Sequence, residues 1–216
     1  MKSYRMKRIG MKKICITNPP DRRRTLQALL AASALPALAP LNCLAQGLTD
    51  VATLLREGSC VLMLRHAQTE AGIGDPPGFQ LAQCSTQRNL SDEGRAQSIR
   101  IRQWFATRKL AASSVQSSAW CRCKDTATLA FGAYELLPAL NSTFDSRGSQ
   151  AAQTRALQER LKIVRKGQFE VWVTHQVNIS AMTGEGPAMG EAFVVRLVDS
   201  RSDGAPAHIL ARTRFI

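Results

Sequence analysis

Two short apolar runs constrain this chain more than anything else in it: SCVLMLRH, over residues 59–66, and FEVWVTH, over residues 169–175. A run with so little polar alternation reads as a strand buried on both faces, the pattern of a parallel sheet covered by helices on either side. Each run delivers a histidine at its carboxyl end, His66 and His175, and the first also delivers Arg65. The segments around them alternate in the same sense. LTDVATLLREG (48–58) reads as a short helix capped by Thr49 or Asp50 and closed by Gly58, and SDEGRAQSIRIRQWFATRKL (91–110) as a helix capped by Ser91 with acids in its first turn. SSVQSS (113–118) reads as a strand, AWCRCKDTATLAFG (119–132) as a helix closed by Gly132, and ELLPAL (135–140) as another short strand. Residues 149–167 form a strongly helical segment, and QVNISAMTG (176–184) is a helix closing at Gly184. EAFVVRLV and AHILARTRF, joined by the turn SRSDGAP, predict an antiparallel hairpin. The expected fold is a layered α/β/α sandwich with a mostly parallel central sheet and a C-terminal antiparallel hairpin. Residues 67–90, rich in Gly and Pro, predict a long loop, and loops of that length in compact domains are usually functional.

The chain of 216 residues carries a formal charge of +13, which taken alone would suggest nucleic acid or a membrane surface. Its distribution argues otherwise. Residues 1–45 hold nine Lys or Arg and a single acid, so the remainder is near +5, ordinary for a soluble domain. No nucleic-acid partner is expected. The basic front runs into TLQALLAASALPALAPLNCLAQ, an apolar, Ala-rich segment ending in small residues and broken by Pro36 and Pro40, too short to span a bilayer. Together they read as a secretory signal, with Arg23 and Arg24 resembling a twin-arginine motif and cleavage expected after Ala45. The expected organisation is a signal segment over 1–45 and a domain over 46–216, placed in the periplasm or secreted, without stable membrane insertion after cleavage. Of six cysteines, Cys60, Cys84, Cys121 and Cys123 lie beyond the signal, and an oxidising compartment makes a disulfide plausible, for example Cys84 with Cys121 or Cys123. The CRC spacing suits neither a zinc knuckle nor a CxxC redox site, and neither metal nor cofactor is expected.

In a parallel sheet the strand ends open on one rim, so Arg65 with His66, Ser117 and Ser118 ahead of Arg122, and His175 can meet there. These stretches resemble the motifs of the histidine phosphatase superfamily, the phosphoglycerate mutase-like group, in its branch of small bacterial phosphatases. Arg65, His66 and Ala67 match the first motif, SSAWCRCKDTA the second, with Arg122 at its functional place followed by Thr126 and Ala127, and VWVTHQVNISAMTG the third. NLSDEGRAQ is similar to the helix start between the first two. The resemblance implies a metal-independent phosphoric monoester hydrolase in which His66 is phosphorylated while Arg65, Arg122 and His175 hold the transferring group.

The residue types suit that chemistry. A neutral imidazole can attack phosphorus without a separate base, and guanidinium forks match phosphate oxygens. His175, just ahead of a helix N-terminus, would add hydrogen bonds if protonated. Arg88 and Gln176 are candidate substrate-binding residues. Two departures stand out. Ala67 occupies a position where the family commonly has Gly, and Gln176 follows His175 where many relatives carry an Asp, so the leaving-group acid has to be sought elsewhere: Asp145 is favoured, ahead of Asp75 and Glu70. The substrate is expected to be a small phosphorylated molecule. Relatives that include a lipopolysaccharide core heptose phosphatase imply an envelope phosphosugar as one candidate. A non-catalytic module binding a phosphorylated ligand, and an intracellular protein-phosphohistidine phosphatase, are the alternative functions. His208 matches no motif and is expected to be structural or exposed.

Overall fold

The structure, a computed structural model, describes residues 50–144, 148–197 and 206–215. The leader expected over 1–45, the favoured acid Asp145 and most of the turn over 200–206 lie outside the described residues. The elements follow the order α1 (Val51–Glu57), β1 (Cys60–Arg65), α2 (Asp92–Thr107), β2 (Ser114–Ser117), α3 (Cys121–Phe131), β3 (Glu135–Leu136), α4 (Gln150–Lys162), β4 (Phe169–Thr174), α5 (Gln176–Thr183), β5 (Glu191–Arg196) and β6 (His208–Arg214). The strands form one sheet in the order β3-β2-β4-β1-β5-β6. β3, β2, β4 and β1 run parallel, β5 is antiparallel to β1, and β6 to β5. Among the described helices none is long and apolar enough to cross a membrane.

Two apolar layers cover the sheet. Leu62 and Leu64 of β1, with Val171 and Val173 of β4, pack with Leu54, Ile101, Phe105 and Ala127 of α1, α2 and α3. Val61 and Met63, with Trp172 and Phe193, pack on the other side with Leu157, Leu161, Ile179 and Met182 of α4 and α5. Successive residues of β1 thus serve opposite layers, which is why the run carries no polar alternation. The helix signals hold locally: the Ser91 hydroxyl accepts from Gly94 N at the start of α2, and Ser149 accepts from Ala152 N at the start of α4. One expectation is corrected. ELLPAL is not a full strand: pairing ends at Leu136, and Pro138 opens a single 3-10 turn, Pro138–Leu140. Proline lacks the N–H that a continuing ladder would need there.

Register brings the motifs together. Arg65 pairs with Thr174 and Ser117 with Val173, and the ladder extends one step further through His66 N donating to Thr174 O at 2.9 Å and Ser118 N to Val173 O at 3.0 Å. The three strand ends therefore share one rim of the sheet.

Candidate active site

His66 is buried at the end of β1. Its Nδ1 lies 2.9 Å from the Ala67 carbonyl oxygen, which can only accept, so Nδ1 carries the proton and the lone pair is on Nε2. Burial first, then the field of Arg122, and less strongly Arg65 and Arg88, push the imidazole down to about 3, against the Ala67 bond that favours the charged form. The ring is neutral at neutral pH. Ala67 itself keeps a negative φ, so its methyl group causes no backbone strain. Its N–H donates to Thr126 Oγ1 at 3.0 Å, and the Thr126 hydroxyl donates to the Arg122 carbonyl at 2.7 Å, joining the loop after β1 to α3. The next turn of this loop is fixed by Gly94, where a Cβ would come within 1.8 Å of the Gln68 carbonyl oxygen. No side chain other than hydrogen fits that approach.

Three guanidinium groups face the same space. Arg65, at the strand end, donates from Nη1 to the Pro187 carbonyl at 2.8 Å. Arg88, in the loop, donates from Nη1 to Thr69 Oγ1 and to the Gly72 carbonyl, both at 2.8 Å. Arg122, in the first turn of α3, pairs with Asp75, Nη1 to Oδ1 at 2.7 Å, with both side chains almost wholly buried. The Nε atoms of all three are buried without a hydrogen-bond partner. A buried N–H of a cationic group costs free energy unless an acceptor reaches it, so a triplet of them on one cavity points to an anionic ligand. Burial and the neighbouring guanidinium groups draw Arg65 and Arg88 below their ordinary values.

His175 is the N-cap residue of α5 and is buried. Its Nε2 lies 2.9 Å from Ser118 Oγ, and its ring is 5.5 Å from that of His66 and 5.3 Å from that of Trp120. Burial, then the neighbouring His66 and Arg122, hold it well below the usual histidine value. His175 was expected to donate to the same oxygens if protonated; in this setting it is neutral, and because the Ser118 hydroxyl donates to Asn141 Oδ1 at 3.2 Å, it is Nε2 that donates to Ser118 Oγ.

These residues line a cavity of about 390 Å3 that includes Arg65, His66, Arg88, Arg122, His175 and Gln176. Gln176 is exposed at the first position of α5. Of the alternative acids, Glu70 is exposed and lies outside the cavity wall, while Asp75 is in it but engaged. Asp75 Oδ1 accepts from Arg122 and from Arg88 N at 2.9 Å, and Oδ2 from Trp120 Nε1 at 2.9 Å. Burial pushes its carboxyl up, but the bond to Arg122 and the other donors outweigh this and hold it below the ordinary carboxylate value. It is a carboxylate, and a fixed one. This clamp was not legible beforehand: a lone Asp in GIGDPPG carries no spacing signal that would assign it to an arginine 47 residues on. His208 is exposed on β6 and takes no part.

The loop that carries Asp75 and Arg88 is stapled to α3. Cys84 and Cys121 form a disulfide with Cα atoms 5.6 Å apart, one of the two pairings open beforehand. Beside it, Gln87 Oε1 accepts from Cys121 N at 3.0 Å, and Gln87 Nε2 donates to the Leu81 carbonyl at 2.9 Å. Cys60 and Cys123 are free and buried, and burial pushes the Cys123 thiol up to about 12.

A sheet rim with two neutral histidines, sharing one cavity with the guanidinium groups of Arg65, Arg88 and Arg122, is suited to a phosphate-type anion. Residues 61–145, a segment that holds Arg65, His66 and Arg122, match the family described as Histidine phosphatase superfamily (branch 1). Solved structures agree in fold. The product of an open reading frame of Mycobacterium tuberculosis is 14% identical with a TM-score of 0.50, covering 72% of this chain and 97% of its own. A protein from Escherichia coli, provisionally assigned as an alpha-ribazole-5'-P phosphatase, is 16% identical with a TM-score of 0.50, covering 73% of this chain and 97% of its own. The protein histidine phosphatase SixA complexed with tungstate is 15% identical with a TM-score of 0.49, covering 72% and 96%. No curated protein matches the chain in sequence.

Proposed function

We propose that the chain is an exported phosphomonoesterase that hydrolyses a small phosphorylated substrate through a phosphohistidine on His66, without a metal. The observation that carries this reading is the set of buried, unpartnered Nε–H groups of Arg65, Arg88 and Arg122 around an imidazole whose lone pair is on Nε2. In the first step the guanidinium groups, with His175 beside them, hold the phosphoryl group while His66 Nε2 attacks phosphorus. A P–N bond forms, the P–O bond to the leaving group breaks, and the leaving oxygen takes a proton. Asp145 is the proposed donor of that proton. In the second step water attacks phosphorus, the P–N bond breaks, and inorganic phosphate leaves. Negative charge developing on the equatorial oxygens is met by fixed cations, so little reorganisation is needed during transfer. Arg88 and Gln176 are proposed to contact substrate.

Export rests on the basic, apolar front of the sequence and gains support from the Cys84–Cys121 disulfide, which persists in oxidising compartments. Residues 1–45 are proposed to be cleaved after Ala45, leaving a periplasmic or secreted domain. The test is turnover of p-nitrophenyl phosphate in EDTA by the purified protein beside His66→Ala, with acid-labile phosphate on the protein read after rapid quenching. Turnover that is absent, or equal in the variant, removes the phosphatase reading; phosphate binding without turnover would mark a binding module instead. A reporter fused after residue 50 that stays in the cytoplasm would remove the export reading.

A further inference from the structure

The phosphate end of the cavity is cationic, but the remaining wall is of a different kind. Ile73, Phe79, Trp120, Phe144, Val177 and Met189 line it. The polar atoms that this wall contains are largely engaged within the protein. Trp120 Nε1 is bonded to Asp75, so the indole shows carbon; Ser142 Oγ accepts from Phe144 N at 3.2 Å; the Gly72 carbonyl accepts from Arg88. Among the described residues, Gln176 is an exposed polar side chain at this mouth.

Two of the wall residues are exposed in a way that a folded chain gains nothing from. Ile73 is 91% exposed and Phe144 47% exposed. They come from segments far apart in sequence yet line one cavity, and the residue after Ile73 is close to the second segment: a Cβ built at Gly74 would stand 3.4 Å from the Phe144 ring. Large apolar side chains gathered at the mouth of a charged cavity bury their surface only when a ligand covers them. The cavity, at about 390 Å3, is of the size that holds a small organic molecule rather than a bare phosphate ion.

We infer that the ester group taken by this site is apolar and planar, so that the substrate class is an aryl phosphate, its ring held between the Ile73–Phe144 rim and the Phe79–Trp120 wall. The inference rests on the reading of Arg65, Arg88 and Arg122 as the phosphate site. A polyhydroxylated group such as a sugar would surrender its hydration to this wall with few partners in return. An aromatic ring covers the wall at no such cost, and its edge and face suit the two aromatic side chains.

The experiment uses non-hydrolysable phosphonates, so binding is read whether or not the protein turns substrate over. Calorimetric titration of the full, disulfide-intact chain with methylphosphonate, a glycosylmethylphosphonate and 2-naphthylphosphonate compares one phosphate-like head on three groups. The naphthyl compound is expected to bind about tenfold or more tightly than the methyl compound, and Phe144→Ala and Ile73→Ser each to bring that ratio below about threefold. Both residues are exposed, and circular dichroism checks that the variants are folded. A ratio near one, an undiminished ratio in both variants, or tightest binding of the sugar compound overturns the inference. Failure of all three to bind overturns it together with the phosphate site. A naphthyl preference in a protein that does not turn over p-nitrophenyl phosphate leaves the inference standing and removes only hydrolysis.

Discussion

The site has two halves that are held in different ways. Arg65, His66 and His175 stand on or directly beside β1 and β4, where ladder hydrogen bonds such as His66 N to Thr174 O fix them to the sheet. Asp75 and Arg88 stand on the 67–90 loop, which has no ladder and is held instead by the Asp75 clamp, the Gln87 bonds and the Cys84–Cys121 disulfide. Arg122 on α3 belongs to both, tied to the first half through Thr126 and to the second through Asp75. The contrast separates chemistry from assembly: the strand-borne half carries the proposed nucleophile, and the loop-borne half finishes the cation cluster around it.

The comparison is broken most directly at the nucleophile. His66→Ala is expected to lower turnover of p-nitrophenyl phosphate by about 10^4-fold or more while leaving thermal unfolding cooperative, as befits removal of the reacting group from an intact scaffold. On the loop side, the larger effect is on stability. Opening the disulfide with Cys84→Ser plus Cys121→Ser releases a closed loop spanning 37 residues, for which chain entropy suggests a loss of about 4 kcal/mol and a melting temperature lower by roughly 10 °C. Calorimetry reads this, and an unchanged melting temperature would show that Asp75 and Gln87 hold the loop unaided.

Asp75→Asn sharpens the contrast, because it leaves the buried Arg122 cation without its counter-charge. A cost of about 3 kcal/mol in chemical denaturation is expected, together with a fall in kcat as Arg122 loses its orientation. An effect on KM alone would show that the clamp serves substrate entry and not the transfer step.

The smallest effect concerns pH. His66 titrates near 3 when folded and near ~6.5 when unfolded, so the unfolded chain binds the extra proton between those values. Its contribution to stability is therefore present above about 6.5 and lost as pH falls towards 3, and His175 acts in the same direction. Denaturation midpoints measured across this window should fall with acid in the parent and fall less in His66→Asn. The rate profile of the free enzyme should lack an acid limb near ~6.5, since the nucleophile stays deprotonated throughout that range.

The same division governs what was legible in the sequence. Strand ends could be read because SCVLMLRH and FEVWVTH admit only a buried parallel strand, and a parallel sheet aligns its ends whatever lies between. The helix cap at Ser91 was equally local. Asp75 was visible as a candidate acid and turned out to be an anion held by Arg122, because partnership across a loop depends on tertiary contacts that no spacing encodes. His175 was expected to donate to phosphate if protonated, and its neutrality here follows from burial beside His66 and Arg122, which the linear order does not display. The apolar rim of Ile73 and Phe144 was invisible for the same reason: each is an unremarkable residue until the fold brings both to one cavity.

The Thr126 hydroxyl has a consequence for how the transfer distance is kept. By receiving the Ala67 N–H and passing its own proton to the Arg122 carbonyl, it couples the strand that carries the nucleophile to the helix that carries a clamp. Thermal motion of the sheet and of α3 is then shared at this point, so the gap across which a phosphoryl group would be handed is gauged by one side chain of two bonds' length.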